Sequence, residues 1–271
     1  MLKLQGRTAV VTGAAGGIGR AIATSLARRG CNLALADIDE TTLAATAAEL
    51  AVHKVRISRH RLDVSDRAAV AAFPQQVTAE HPGVDVLVNN AGVALGGTFE
   101  QISEGDFDWL LAINFGGVVR MTRAFLPLMH NSEEARLVNI SSVFGLIAPP
   151  GETAYAASKF AIRGFSESLR HELAGTRIGV TVVHPGGVAT SIAKNARVAK
   201  GVFSEQEAAQ RQERAKALLR LPPEVAGETI VRGVENRQAR VLVGSDAKRI
   251  AMIERLMPVK YWDLLGRRVM R

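Results

Sequence analysis

The chain has 271 residues, of which 47% are hydrophobic, so it is long enough to bury one large core. Its 34 Lys and Arg exceed its 26 Asp and Glu, for a net charge of +8. Because these cations are spread out and no aromatic-studded basic platform accompanies them, we expect no nucleic-acid partner. The single cysteine, Cys31, excludes an intrachain disulfide and favours a reducing compartment, and no run of apolar residues is long enough to span a membrane. We therefore expect a cytoplasmic protein.

Apolar strands alternate with helical stretches from one end of the chain to the other. The predicted strands are residues 7–12, 31–36, 54–62, 84–89, 136–140, 178–183 and 240–244. This alternation predicts an α/β fold, a single-domain, Rossmann-type, doubly wound parallel sheet of about seven strands with helices on both faces. Residues 1–244 form the predicted domain, and residues 245–271 form a C-terminal extension.

A glycine-rich turn follows the first strand directly. Residues 12–19 read TGAAGGIG, and a helical pattern begins immediately after them. In this order a strand, a turn and a helix start bring backbone N–H groups to a diphosphate, with the helix dipole helping. We predict a dinucleotide site in which the turn contributes Gly13, Ala15, Gly17, Ile18 and Gly19.

The second strand ends at Asp37, eighteen residues after Gly19. A carboxylate at this place accepts hydrogen bonds from the adenosine ribose hydroxyls and repels a 2′-phosphate. Neither arginine nor lysine lies within Gly13–Gly19 or directly after Asp37, so the sequence favours NAD over NADP. The competing interpretation of Asp37 is a loop or helix-capping aspartate beside Asp39.

Polar and small residues also follow the later strands. Asp63 and Val64 follow the third strand, where they would contact the adenine edge, and Asn89-Asn90-Ala91-Gly92 follows the fourth. Ser142 comes just after the strand at 136–140, at a carboxyl end where open α/β sheets keep their sites. Tyr155 and Lys159 stand four residues apart in a helical segment, so that phenol and ammonium share one face. A neighbouring cation favours the phenolate, which would lower the pKa of Tyr155.

Taken together, these motifs resemble the short-chain dehydrogenase/reductase family, in the roughly 250-residue form that acts on alcohols and ketones. The resemblance implies that Ser142, Tyr155, Lys159 and Asn114 are the catalytic residues. Tyr155 would be the general acid or base, Lys159 would lower its pKa and bind the cofactor ribose, and Ser142 would hold the substrate oxygen. Asn114 would shape a water path from the lysine to solvent. The implied cofactor contacts are Gly13, Ala15, Gly17, Ile18, Gly19, Asp37, Asp63, Val64, Asn90, Ala91, Gly92, Tyr155, Lys159, Pro185, Gly186, Val188 and Thr190, and no metal is expected.

The substrate is predicted from the residues that flank the catalytic segments. Val93, Leu95, Val143, Phe144, Leu146, Ile147 and Pro149 are apolar, and a charged helical insertion at about 191–221 would form a lid. We therefore predict a hydrophobic secondary alcohol or ketone. The family pattern further implies a homodimer or homotetramer, assembled through long helices at about 100–130 and 153–175.

The extension at 245–271 carries seven basic and three acidic residues and an apolar pattern at helical spacing. Such a segment either rests on a membrane surface or packs over the cleft or a sister subunit, and the sequence favours packing.

Two alternatives to an NAD-dependent alcohol dehydrogenase stay open at this point. One is an NADPH-preferring carbonyl reductase, and the other is a non-catalytic NAD-binding sensor or scaffold protein.

Overall fold

The computed structural model of the protein describes residues 1–198 and 218–269, except for the side chains of residues 267–269. Seven strands form the main sheet and two more form a small second sheet. The strands are β1 Thr8–Thr12, β2 Asn32–Asp37, β3 Ile57–Arg61, β4 Val86–Asn89, β5 Leu95–Gly96, β6 Ala135–Ile140, β7 Ile178–Pro185, β8 Arg197–Val198 and β9 Arg240–Val243.

The main sheet is parallel and runs in the order β3-β2-β1-β4-β6-β7-β9. All seven predicted strands are present, so the predicted doubly wound fold is confirmed. All residues of β1, β4 and β6 are buried, as expected for central strands covered on both faces.

Helices cover both faces of this sheet. They are α1 Gly17–Ala27, α2 Glu40–Leu50, α3 Arg67–Glu80, α4 Glu104–Leu111, α5 Gly117–Met129, α6 Thr153–Glu172, α7 Pro223–Glu235, α8 Ser245–Leu256 and α9 Tyr261–Val269. One core contains Ile22 of α1 and Ile230 of α7, and the other contains Phe73 of α3 and Phe125 of α5. The two cores lie on opposite faces, as in other doubly wound folds.

The helix predicted at about 100–130 contains an irregularity. A single π-helical segment, Ala112–Gly116, joins α4 to α5, and Asn114 lies inside it with none of its surface exposed. π-Segments inside α-helices frequently occur at functional sites. The short sheet in which β5 pairs with β8 was not predicted, because two-residue strands leave no periodic pattern.

The strand order reverses between β1 and β4, which are neighbours in the sheet but not in the chain. Open α/β sheets bind ligands at such a switch point, at the carboxyl ends of the strands. The glycine turn after β1 and the Asn90 segment after β4 meet there. Across the parts of the chain that the structure covers, we find no helix with the length and apolarity needed to cross a membrane.

Candidate active site

The glycine turn adopts backbone conformations that side chains disfavour. Gly13 has φ +65° and Gly17 has φ +52°, both in the left-handed region. A Cβ on Gly13 would lie 2.8 Å from Nδ2 of Asn90, and one on Gly19 would collide with the carbonyl oxygen of Gly13. A Cβ on Gly17 would lie 3.1 Å from Cγ2 of Thr190. The turn is therefore a cradle that side chains would fill.

The amino terminus of α1 opens onto this cradle. The helix follows the extended residue Gly16, its cap makes no side-chain hydrogen bond, and its first turn contains no acidic residue. Its backbone N–H groups and the positive end of its dipole are thus available to bind an anion. The residues present fit the diphosphate of a dinucleotide.

Asp37 ties the end of β2 to the glycine turn. Its Oδ2 accepts a hydrogen bond from the N–H of Ala15 at 2.9 Å, and its Oδ1 accepts one from the N–H of Asp39 at 3.1 Å. The helix-capping role belongs to Asp39, whose side chain accepts from the N–H of Thr42 at 3.0 Å. The strand register also places Arg61 of β3 beside Asp37, a neighbour that the sequence did not reveal.

Thr12 and Asn90 join the ends of β1 and β4. The Thr12 hydroxyl accepts from the N–H of Asn90 at 3.0 Å and from the N–H of Ala91 at 3.1 Å. The Asn90 amide donates to the carbonyl oxygens of Thr12 and Gly13 at 3.0 and 3.1 Å. Asn90 therefore shapes the glycine turn, and the threonine that organises it was not among the predicted site residues.

Asp63 and Val64 lie just after β3. Oδ1 of Asp63 accepts hydrogen bonds from the backbone and hydroxyl of Ser65 at 2.8 and 2.7 Å. Val64 is buried, and a Cβ on Gly117 would lie 2.8 Å from its Cγ2, so α5 packs closely on this segment. Ile18, on the first turn of α1, packs against the neighbouring core.

Ser142, Tyr155 and Lys159 meet at the carboxyl edge of the sheet. The Ser142 hydroxyl accepts from the N–H of Phe144 at 3.1 Å and hydrogen-bonds to the Tyr155 phenol. The Lys159 ammonium lies 5.4 Å from the centroid of the Tyr155 ring and donates to the carbonyl oxygen of Ile140 at 3.2 Å. The one-turn spacing on α6 thus puts the phenol and the ammonium side by side.

The pKa of Tyr155 differs in direction from the one that the sequence predicts. Burial and the Glu152 carboxylate raise the pKa of Tyr155, and the hydrogen bond from Ser142 opposes that rise. Burial lowers the pKa of Lys159 to about 8. The sequence predicted a lowered Tyr155 pKa, and the structure gives the opposite direction, because burial disfavours the charged phenolate.

Asn114 is buried between two segments of the site. Its Oδ1 accepts from the N–H of Val93 at 2.8 Å, and its Nδ2 donates to the carbonyl oxygen of Val93 at 3.0 Å and to the Ser158 hydroxyl at 3.2 Å. A Cβ on Gly92 would lie 3.2 Å from Oδ1 of Asn114 and 3.6 Å from Nζ of Lys159. Asn114 thus fixes the chain that passes in front of the lysine.

The segment from Pro185 to Thr190 follows β7 and reaches the glycine turn. Val188 is buried and bridges to Leu221, and the N–H of Gly187 donates to Oδ2 of Asp246 at 2.7 Å. A Cβ on Gly186 would collide with the Asp246 carboxylate. Asp246 lies in the predicted extension, and no sequence motif identified it as part of the site.

The predicted apolar flanks lie around Tyr155. Leu95, Val143, Leu146 and Ile147 are buried, and Val93 and Leu95 belong to a small cluster that includes Tyr155. Of the predicted lid at about 191–221, residues 199–217 lie outside the part of the chain that the structure describes. Wherever side chains are described, no group of three or more His, Cys, Asp or Glu could hold a metal ion.

Comparisons with known proteins identify the family of this chain. The family model for short chain dehydrogenase matches residues 7–201. SadH, named as an oxidoreductase in Mycobacterium tuberculosis, is 43% identical over 268 residues, which cover 98% of this chain and 96% of SadH. A short chain dehydrogenase/reductase from Burkholderia phymatum, solved with NAD, matches with a TM-score of 0.85 and 33% identity over 94% of this chain and 95% of that one. An alcohol dehydrogenase from Thermococcus sibiricus, solved with 5-hydroxy-NADP, matches with a TM-score of 0.73 and 28% identity over 87% of this chain and 93% of that one.

The fold and the site define a nicotinamide-dependent oxidoreductase. The chain belongs to the short-chain dehydrogenase/reductase family.

Proposed function

We propose that the protein transfers a hydride between NAD and a hydrophobic secondary alcohol or ketone. The observation that carries the proposal is the meeting of Ser142, Tyr155 and Lys159 at the sheet edge beside the glycine turn. A phenol, a hydroxyl and an ammonium close together at this place can hold a substrate oxygen and move a proton to or from it.

The chain's own residues handle the proton and the oxygen. In alcohol oxidation the Tyr155 phenolate takes the hydroxyl proton while the carbon gives up a hydride, and a ketone forms. In ketone reduction the phenol returns that proton to the oxygen. Ser142 donates to the oxygen as charge develops there, and Lys159 stabilises the phenolate. The nicotinamide ring, when bound, accepts or returns the hydride.

The raised pKa of Tyr155 bears on the direction of the reaction. A phenol whose pKa lies above its ordinary value keeps its proton at neutral pH. A phenol in this protonation state can act as an acid toward a ketone. Alcohol oxidation needs the phenolate, so it gains from alkaline conditions and from the positive charge of the oxidised nicotinamide.

Asp37 supports NAD as the cofactor. Its carboxylate lies at the end of β2 beside the glycine turn, where it would accept from ribose hydroxyls and repel a 2′-phosphate. One observation favours the NADPH-preferring alternative, since Arg61 is the register partner of Asp37 and carries a charge that attracts phosphate. The solved relatives include complexes with NAD and with an NADP derivative.

The buried apolar flanks support a hydrophobic substrate, because a polar diol would leave its hydroxyls without partners there.

We infer a homodimer or homotetramer as well. The lining of a groove between α5 and α6 includes the apolar residues Val119, Leu126 and Phe165, which suits association through these helices. A cytoplasmic location stays a prediction.

Titration of NAD and NADP into the protein, followed by turnover assays, tests the proposal. We expect tighter binding of NAD, and oxidation of cyclic or long-chain secondary alcohols in preference to short polar diols. The variant Tyr155→Phe should bind NAD as the parent does and lose nearly all turnover, because only the proton carrier is missing.

Each alternative gives a different result. Tighter binding of NADPH would reject the argument from Asp37 and favour the reductase. Full activity of Tyr155→Phe would mean that another group moves the proton. Binding of NAD without turnover of any alcohol or ketone by the parent protein would favour the sensor or scaffold.

A further inference from the structure

The outer face of α8 and the turn that follows it combine cations with exposed apolar side chains. Met252, Leu256 and Val259 are 66%, 74% and 87% exposed. We call this surface the C-terminal tip, and its members are Arg249, Met252, Arg255, Leu256, Val259 and Lys260, all of them exposed. Contiguous exposed apolar side chains on a folded domain usually mark an interaction site.

The packing of α8 fixes which of its faces points outward. Ala247 is fully buried, and Ile250 and Ala251 are partly buried on the same side of the helix. Asp246 also points inward, where it accepts from the N–H of Gly187. The exposed stripe is thus the outer face of a helix that is held in place.

The helix that carries the C-terminal tip contacts the segment that follows Ser142. Helix α8 packs against the turn Val143–Gly145, which directly follows Ser142. Beyond the tip, the Tyr261 hydroxyl accepts a hydrogen bond from the N–H of Ala148 at 3.1 Å. The helix and the residue that follows the tip thus both contact the segment after Ser142.

We propose that the C-terminal tip docks on an anionic lipid surface. Exposed Leu, Val and Met beside Lys and Arg are typical of segments that lie in the headgroup region, where the cations meet anionic lipids and the apolar side chains enter the acyl boundary. A second copy of the chain is a poorer occupant, because a two-fold contact would bring together two identical patches that each carry Arg249, Arg255 and Lys260.

The docked surface would also supply the substrate. Secondary alcohols and ketones with long or cyclic apolar groups partition into lipid, and the tip would hold the catalytic edge of the sheet near that store. This second statement rests on the proposed function, whereas the docking itself does not. The sequence favoured a packed extension, and the exposure of Met252, Leu256 and Val259 is the observation that changes the preference.

Co-sedimentation of the full chain with vesicles tests the docking without any turnover. Vesicles of phosphatidylcholine with phosphatidylglycerol are compared with vesicles of phosphatidylcholine alone, at low and at high salt. We expect binding to the anionic vesicles, weakened by salt, and at least tenfold weaker binding to the neutral ones.

Two double variants separate the apolar and the electrostatic contributions to vesicle binding. Leu256→Ser with Val259→Ser, and Arg255→Gln with Lys260→Gln, should each lower binding about tenfold or more. The controls make the same exchanges elsewhere on the surface, Val52→Ser for an exposed valine and Arg59→Gln for an exposed arginine. These controls should bind as the parent does.

Three outcomes would overturn the proposal. They are failure to bind anionic vesicles at low salt, equal binding by tip variants and parent, and conversion of a dimer to a monomer by the tip variants in size-exclusion chromatography. The last result would assign the surface to a second copy. If the parent protein binds the vesicles normally but oxidises no alcohol, the proposed function alone would be rejected.

Discussion

Lys159 has two opposing roles at the level of the single residue. Its side chain is 4% exposed, and burial brings its pKa down to about 8, so holding the ammonium charge opposes folding. The ammonium nitrogen lies 5.4 Å from the centroid of the Tyr155 ring, where our proposal has it stabilise the phenolate. A charge that destabilises the fold and is placed against a reacting group fits a catalytic residue better than a structural one.

Lys159→Met should therefore stabilise the protein and inactivate it. The folded-state pKa of about 8 lies below the ordinary value of 10.5, so the protonated lysine opposes folding, and it does so in full at pH values below about 8. Removing the charge should raise the free energy of unfolding by roughly 3 kcal/mol at most, and the gain should shrink as the pH rises from 8 to 10.5. Thermal melts and turnover assays measure both effects.

The matched control is Lys3→Met, which removes an exposed lysine and should change neither property. Full turnover by the Lys159 variant would contradict the catalytic role. A lower melting temperature would contradict the linkage argument.

At the level of elements, the start of α8 and the loop after β7 form one unit. Gly244 has φ +98° and turns the chain sharply from β9 into α8. This turn brings Asp246 to the N–H of Gly187, inside the segment that contains the predicted cofactor contacts Pro185, Gly186, Val188 and Thr190. A helix that the sequence assigns to an extension thus holds part of the candidate cofactor site.

Asp246→Ala should weaken NAD binding by about tenfold to a hundredfold, because a hydrogen bond to a charged group contributes roughly 1.5–3 kcal/mol. The measurement is calorimetric titration of NAD into the full chain. The control is Asp263→Ala, which removes an exposed carboxylate from α9. Equal NAD affinity in both variants would mean that the loop needs no such anchor.

For the whole molecule, three buried histidines make the fold sensitive to acid. Burial lowers the pKa of His60 and of His81, and it lowers the pKa of His184 to about 4. His184 donates from Nδ1 to the carbonyl oxygen of Ser142 at 2.9 Å, so a second proton on Nε2 would be buried without a partner among the described residues. Protonation of these rings accompanies unfolding.

Stability should accordingly fall as the pH drops from 6.5 towards 4. In that range the histidines bind protons in the unfolded chain but stay neutral in the folded protein. His184 alone accounts for a loss of roughly 3 kcal/mol at most in the free energy of unfolding. Urea unfolding across this pH range measures the loss. His184→Asn should make the pH dependence shallower, whereas His130→Gln, at an exposed site, should leave it unchanged. A flat profile in the parent protein would refute the argument.

The sequence by itself determined the parallel sheet, the order of its strands along the chain and the residue types at the sheet's carboxyl edge. Those features are local, since hydrophobic periodicity and glycine content act within a few residues of each other. It also placed Tyr155 and Lys159 on one helical face, because one turn of helix is enough to do so.

Only the tertiary structure decided which side chains are buried and which distant residues come into contact. The raised pKa of Tyr155 depends on the burial of its phenol, and no motif records that burial. Asp246 reaches Gly187, and Arg61 lies beside Asp37, through contacts between segments that are distant in the chain or paired only by strand register. Such contacts exist only once the chain has folded, because burial and long-range proximity are properties of the packed molecule and not of any short segment.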